Sequence, residues 1–195
     1  MKNTLALITL MIWPAIPLFW IPVHGCPRLF KRLGLFTYIL PVVTWLPLAV
    51  VLYLNKGVLL KGGIDFSIAP TAAGALIFVV GGLIQIWTGR LLSLFGLMGM
   101  PEVSSKIKSR LVDEGAFAVV RHPTYLSHTL MLVGLFLFTG FPAVGIIAAL
   151  DFALVYAVII PLEERELINR FGEEYLLYMK KTPKFFPGIG HKRNV

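Results

Sequence analysis

Residues 123–162 read PTYLSHTLMLVGLFLFTGFPAVGIIAALDFALVYAVIIPL, a stretch in which Asp151 is the only acidic or basic side chain apart from His128. It divides at Gly140 and Pro142 into two apolar runs, Pro123–Thr139 and Phe141–Leu162. Each approaches the roughly 20 residues that a helix needs to cross a bilayer core of about 30 Å. The connection between them is too short for anything but a tight antiparallel hairpin. Runs of the same kind recur upstream: Leu5–Val23 with Pro14 and Pro17, Leu35–Leu54 with Pro41 and Pro47, and Thr71–Phe95. The prolines predict kinks, because each ring removes a backbone donor. The third run is apolar through Val80 and then gains Gln85, Trp87, Thr88, Arg90 and Ser93, so its end should face protein or water. The expected fold is an all-α polytopic membrane helical bundle of about five transmembrane helices, followed by a C-terminal cytosolic amphipathic helix. Residues 1–195 read as one domain, with two N-terminal spans in 1–70 and a core with the C-terminal helix in 71–195.

Composition supports this. The 195 residues are 57% hydrophobic and 14% charged, with a mean hydropathy of +0.80, far from a soluble domain. A net charge of +8 could suggest nucleic acid, but a nucleic-acid-binding domain would not spread apolar runs over most of its length, so no such partner is expected. Basic loops facing an anionic cytoplasmic leaflet account for the charge better. With five spans and the N-terminus outside, Lys2, Lys56 and Lys61 lie outside, and the other 15 of the 18 Lys and Arg residues, from Arg28 to Arg193, lie inside. The expected location is therefore integral and multi-pass with a cytosolic C-terminus, in the plasma membrane of a prokaryote or the endoplasmic reticulum of a eukaryote. Cys26 is the only cysteine, which excludes an internal disulfide and any zinc site built on paired cysteines. The N-terminal run lacks a clear cleavage signal and reads as a retained helix.

The candidate chemistry begins in Leu111–Tyr125, LVDEGAFAVVRHPTY. Pro123 suits the first position of a helix, which sets Arg121 and His122 at the mouth of the fourth span. Tyr125 and His128 then share a face at i,i+3 spacing. The helix N-terminus beside Arg121 would suit a carboxylate or phosphate. An equal reading is an interfacial anchor, with Arg121 reaching head groups and His122 and Tyr125 in the aromatic belt. A metal pair of His122 and His128 is disfavoured by its six-residue spacing, and no metal ligand set is expected. After the fifth span comes Pro161–Tyr175, PLEERELINRFGEEY, where Leu167, Ile168, Phe171, Tyr175 and Met179 form an amphipathic stripe. Glu166 and Arg170 read as an exposed i,i+4 pair. Glu163 and Glu164, at the exit of a span, could orient a cation or hold ribose hydroxyls.

Leu111-Val-x-Glu-Gly, then Arg121-His122-Pro123-x-Tyr125, then Glu163-Glu164 and Phe171-Gly172-Glu-Glu-Tyr175-x-x-Tyr178 with a basic, proline-containing tail resemble the isoprenylcysteine carboxyl methyltransferase and phospholipid methyltransferase family of membrane enzymes. The resemblance covers roughly residues 71–189. It implies a pocket for S-adenosyl-L-methionine, built from the last spans and the C-terminal helix, and a hydrophobic tunnel for a lipidic or lipidated acceptor. Carried over residue by residue, it implies cofactor-binding roles for His122, Tyr125, Pro123, Glu163 and Glu164, and catalytic roles for His122, Glu163 and Arg121. Membrane lipids and a lipidic substrate are the implied partners.

Three departures from the family pattern stand out. Val158–Leu162 carries no cation, where members that methylate a prenylcysteine carboxylate have an arginine; Gly115-Ala-Phe117 replaces Gly-x-Tyr; and Gly96-Leu-Met-Gly99-Met-Pro is longer than the usual connection. The acceptors implied are, in order, an isoprenylcysteine-like carboxylate, a phospholipid amine and a small thiol. The non-enzymatic alternative is a membrane binding or transport module with Gln85, Arg90 and Asp151 lining a polar path.

Overall fold

Prolines and glycines decide where the apolar runs break. In the computed structural model, which describes residues 1–104 and 110–186 apart from the side chains of 94 and 95, the first run forms α1 (Lys2–Ile12) and α2 (Ala15–Gly25), separated at Trp13–Pro14. Pro14 cannot donate to Leu10, so the ladder lapses there and resumes one turn later. The second run is α3 (Pro27–Leu33), a 3₁₀ turn (Gly34–Tyr38) and α4 (Ile39–Leu54), with a short α5 (Lys56–Leu59) beyond. The third is α6 (Ile68–Leu97), which starts and ends a few residues outside the expected run and breaks at Ser93, whose φ of 64° lies in the left-handed region. Two single-turn helices, α7 (Met100–Val103) and α8 (Ala116–Val119), precede the hairpin of α9 (Pro123–Thr139) and α10 (Pro142–Leu154).

Pro161 does not end the last span. Instead, α10 runs through a π turn (Val155–Ile159) directly into α11 (Ile160–Phe171), one helical path from Pro142 to Phe171. The wider turn absorbs the clash that a proline ring makes with the preceding turn. The chain reverses at Gly172, φ 59°, into α12 (Glu173–Lys181), so the expected amphipathic helix is two helices.

Among the described residues, four stretches are long and apolar enough to cross a membrane: Lys2–Gly25, Pro27–Leu54, Ile68–Ser93 and Pro142–Phe171. The 17-residue α9 is shorter, about 25 Å at 1.5 Å per residue. It is held along its length by α6, through a seam of small residues. A Cβ on Gly134 would lie 2.6 Å from Phe78 N and 2.7 Å from Gly74 O, and one on Gly81 would lie 2.8 Å from Ser127 O. Such backbone contact between helices is how apolar segments associate where lipid offers no hydrophobic drive. Ser127 completes the seam by donating to Gln85. The outward faces of α4 and α6, with Val42, Val43, Leu46, Val50, Leu76, Val79 and Leu83 exposed, form the lipid-facing surface of a polytopic all-α bundle. Lys106, Lys108, Lys192 and Arg193, part of the charge asymmetry, lie outside the described residues.

Candidate active site

His122 caps α9 with φ −121° and Pro123 takes its first helical position, as the sequence predicts. What holds this mouth is the chain that follows α12. Arg121 N donates to Pro183 O at 2.8 Å and His122 N to Lys184 O at 3.2 Å, a short backbone pairing between segments distant in sequence. The Arg121 guanidinium binds Glu164 Oε1 through Nη2 at 2.7 Å and Nε at 3.1 Å. Its Nη1 donates to Thr182 O at 2.6 Å and Met179 O at 3.1 Å. With 8% of the side chain exposed, Arg121 is not the head-group anchor that was the alternative reading; it is buried and fully engaged.

Consecutive residues on a helix point about 100° apart, and Glu163 and Glu164 use that divergence. Glu164 faces the basic side: besides Arg121 it lies 3.3 Å from Lys184 Nζ and 3.2 Å from His122 Nε2. Glu163 faces a cavity, with Oε2 3.4 Å from His122 Nδ1. His122 is thus clamped between two carboxylates. Burial disfavours its imidazolium, but hydrogen bonds and charge from Glu163 and Glu164 outweigh burial and raise its pKa. Tyr125 sits beside it, ring centroids 5.9 Å apart. Tyr178 donates to Phe117 O at 2.6 Å, which folds α12 back on the bundle; burial pushes the phenols of Tyr175 and Tyr178 up, so both stay protonated.

The cavity, about 600 Å³, is lined by Arg121, His122, Tyr125 and Glu163 from the expected set, and by His128 and Gln85. That volume falls within the range of roughly 300–1,000 Å³ typical of ligand sites. Other wall residues escaped the sequence reading: Ile16 and Trp20 of α2, Glu102 of α7, Thr124, Arg170, Phe171 and Tyr175. Trp20 stacks on His24 at 5.0 Å, and the left-handed Gly99 leaves room for its ring, since a Cβ there would lie 2.8 Å from it. The long Gly96–Pro101 connection therefore brings α7 to the wall, with Pro101 and Glu102 lining it. Phe117, where a tyrosine was expected, contributes a ring to the same wall.

The exposed i,i+4 pair is a correction. Glu166 is 5% exposed, and Arg170 joins it at 2.6 Å to Glu102 at 3.0 Å, while Lys31 lies 3.8 Å from Glu166. The helix face that looked solvated is covered by α3 and α7. Burial raises the Glu102 carboxyl against the pull of Arg170. The residues of the transport alternative do not share one path: Gln85 lines the cavity, Asp151 is buried against Trp13, His128 and Thr129, and Arg90 is exposed.

Among the described residues, the buried side-chain oxygens without a hydrogen-bond partner are Glu102 Oε2, Thr124 Oγ1, Glu163 Oε2 and Tyr175 Oη, and all four residues line this cavity. Unmet acceptors and hydroxyls beside aromatic walls suit a ligand that brings donors, a cationic centre and a flat ring. S-adenosylmethionine has an ammonium, a ribose diol, a sulfonium and an adenine, and the donor set fits it.

Several known proteins are similar to part of the chain. The cobalt-zinc-cadmium resistance protein CzcN of Cupriavidus metallidurans is 33% identical over 114 residues, 53% of this chain and 52% of its own. The nickel-cobalt-cadmium resistance protein NccN of Alcaligenes xylosoxydans xylosoxydans is 35% identical over 87 residues, 45% and 40% of the two chains. Protein-S-isoprenylcysteine O-methyltransferase B of Arabidopsis thaliana is 34% identical over 84 residues, 41% of each. The chain thus spans about half the length, or less, of these relatives. A model of the phospholipid methyltransferase family matches residues 70–174, from the start of α6 to the start of α12. With more than half of its length so matched, the chain belongs to the phospholipid methyltransferase family.

Proposed function

We propose that this membrane protein transfers a methyl group from S-adenosylmethionine to a lipidic acceptor. The observation that carries the reading is the set of unpartnered oxygens, Glu163 Oε2 foremost, on the wall of one cavity. When bound, the cofactor supplies an electrophilic methyl on a sulfonium, for in-line displacement by the acceptor. The chain's own residues align, neutralise and exclude water. Arg121 and Lys184 neutralise Glu164, Glu164 and Glu163 flank the His122 ring, and Glu163 Oε2, 3.4 Å from His122 Nδ1 but not hydrogen-bonded to it, is the oxygen offered to the ammonium or hydroxyls of the cofactor. Both nitrogens of His122 face carboxylates, so His122 positions Glu163 and takes no proton. Pro123 starts the helix that carries Tyr125 to the same wall. Trp20, Phe117 and Phe171 offer apolar faces to the adenine.

Residues 71–195 form the catalytic core on this reading, and the spans in 1–70 close the cavity through Ile16 and Trp20. The basic residues Lys31, Arg121, Arg170 and Lys184 are linked by ion pairs at one end of the bundle, which supports a cytosolic site with the N-terminus outside. The Arabidopsis relative is named for an isoprenylcysteine and the family for a phospholipid. An isoprenylcysteine-like carboxylate and a lipid amine are thus the acceptors to offer, with a thiol as third. Calorimetry with S-adenosylmethionine on detergent-purified protein tests the reading. Wild type should bind, and Glu163→Ala and His122→Ala should each bind at least tenfold more weakly; unchanged affinity in both variants, or no binding by wild type, refutes it.

A further inference from the structure

Asp151 stands in the middle of α10, 1% exposed, in a segment otherwise apolar. A buried carboxylate is costly at such a depth unless it is paired, and three side chains from two other helices meet it. Trp13 Nε1 donates to Oδ1 at 2.8 Å, His128 Nδ1 lies 3.2 Å from the same oxygen, and Thr129 Oγ1 donates to Oδ2 at 3.3 Å. His128 also lines the cavity, with 21% of its side chain exposed. Its Nδ1 stands 3.2 Å from Asp151 Oδ1, an ion-pair distance without hydrogen-bond geometry, and Nε2 is the ring nitrogen not beside the carboxylate. A carboxylate beside one imidazole nitrogen favours the imidazolium that forms when the other accepts a proton.

The contrast with His122 is complete, since neither nitrogen of that ring is free. His128 lies six residues further along α9, roughly 9 Å deeper at 1.5 Å per residue, one i,i+3 step past Tyr125 on the same face. The cationic and acidic cluster that would hold the cofactor is at the mouth.

We propose that the His128–Asp151 pair is the proton-accepting site for the methyl acceptor, and that the acceptor atom therefore carries a proton: a lipid amine or a thiol, not a carboxylate. The step balances. The lone pair of the acceptor nitrogen or sulfur forms the new bond to the methyl carbon, the carbon–sulfur bond of the sulfonium breaks with its pair going to sulfur, and the acceptor's proton passes to His128 Nε2. Asp151, held by Trp13 and Thr129, pairs with the imidazolium that results. A carboxylate acceptor, already ionised, would leave this pair without a role. The cavity's guanidinium groups agree: Arg121 and Arg170 are engaged by Glu164 and by Glu102 with Glu166, and Arg110 by Glu114. Of the helices packed on α9, α10 brings only Asp151 to His128. α1 brings Trp13 at its end and carries a single charge, Lys2, at its start; α6 brings Gln85, its one charge Arg90 being exposed; α8 has no titratable side chain. Glu163 and, on the same face of α9, Tyr125 also line the cavity.

The inference rests on the methyltransferase reading, and the test separates the two. Full-length protein in nanodiscs is assayed with S-adenosylmethionine and, in turn, phosphatidylethanolamine, a long-chain alkyl thiol and farnesylcysteine. The expected result is turnover of the amine or the thiol. In His128→Gln, kcat should fall about 100-fold while calorimetric cofactor affinity stays within threefold, and the acid limb of the wild-type pH–rate profile should vanish. Imidazole should restore part of the activity of His128→Ala. Cofactor binding with kcat unchanged in His128→Gln overturns the proposal and leaves the methyltransferase reading standing. So does a wild-type enzyme that turns over farnesylcysteine alone, whatever becomes of the variants. Absence of cofactor binding by wild type overturns both.

Discussion

Replacing Arg121 by glutamine removes a guanidinium that ties the mouth of α9, the exit of the last span and the chain after α12 together. Four hydrogen bonds go at once: two to Glu164 Oε1, at 2.7 and 3.1 Å, and two to the carbonyls of Thr182 and Met179, at 2.6 and 3.1 Å. Both charged side chains are less than a tenth exposed, so water screens little. Removing one partner of a buried ion pair costs about 3–5 kcal/mol. Lys184 and His122 still face Glu164 after the change, which argues for the lower end, about 3 kcal/mol. At 1.36 kcal/mol per tenfold, undocking of residues 179–186 becomes roughly 100-fold more frequent. Hydrogen exchange by mass spectrometry on protein in detergent reads this directly: amides of 179–186 should exchange about 100-fold faster, with α1 and α4 unchanged. Arg121→Lys should recover only part, because an ammonium lacks the fork that spans a carboxylate and two carbonyls. Exchange within threefold of wild type in Arg121→Gln would refute the reasoning.

At the α6–α9 seam, Gly134→Ala sets a methyl against the backbone of Phe78 and Gly74 and should cost about 1–3 kcal/mol; the control Gly82→Ala meets nothing within 4 Å and should gain up to about 1 kcal/mol from helix propensity. Thermal unfolding in one detergent compares them, and equal midpoints would count against the seam. His122 has a raised pKa, so its contribution to stability is full below the ordinary histidine value near 6.5 and is lost as pH rises through the raised value. His122→Gln should flatten this part of the decline in denaturation midpoint above neutral pH; an unchanged slope would mean that His122 is neutral throughout. Glu102→Gln should loosen α7 from α11 by removing the charge that Arg170 meets, seen as faster proteolysis within residues 98–112 in wild-type and variant digests run together, and equal digestion would argue against it.

The spans were legible because hydrophobic length is a property of contiguous sequence, and His122 with Pro123 because a proline at the first helical turn is a local signal. The covering of Glu166 and Arg170 was not legible: an i,i+4 pair has the same spacing in water as beneath α3 and α7, and only tertiary contact distinguishes them. Trp20 and Glu102 reach the cavity from segments more than 50 residues from α11, with no spacing to betray them. The left-handed Ser93 gave no sign either, since non-glycine residues rarely adopt that conformation. The division of labour between Glu163 and Glu164 required the position of Arg121, which the order of residues along the chain does not contain.

The π turn at Val155–Ile159 acts on chemistry at both of its ends. In an unbroken α-helix Asp151 and Glu163, 12 positions apart, would point about 120° away from each other. One residue taken up in excess by the wider turn reduces the effective separation to 11 and the divergence to about 20°. The carboxylate that meets His128 and the one that meets His122 are thereby brought into phase along a single rod. The depth difference between them is fixed by helical rise and owes nothing to a loop. An insertion of one residue here would leave span length and apolar character nearly untouched, yet it would return the effective separation to 12 and rotate the mouth out of alignment with the deeper pair, so the phase of this segment is guarded separately from its hydrophobicity.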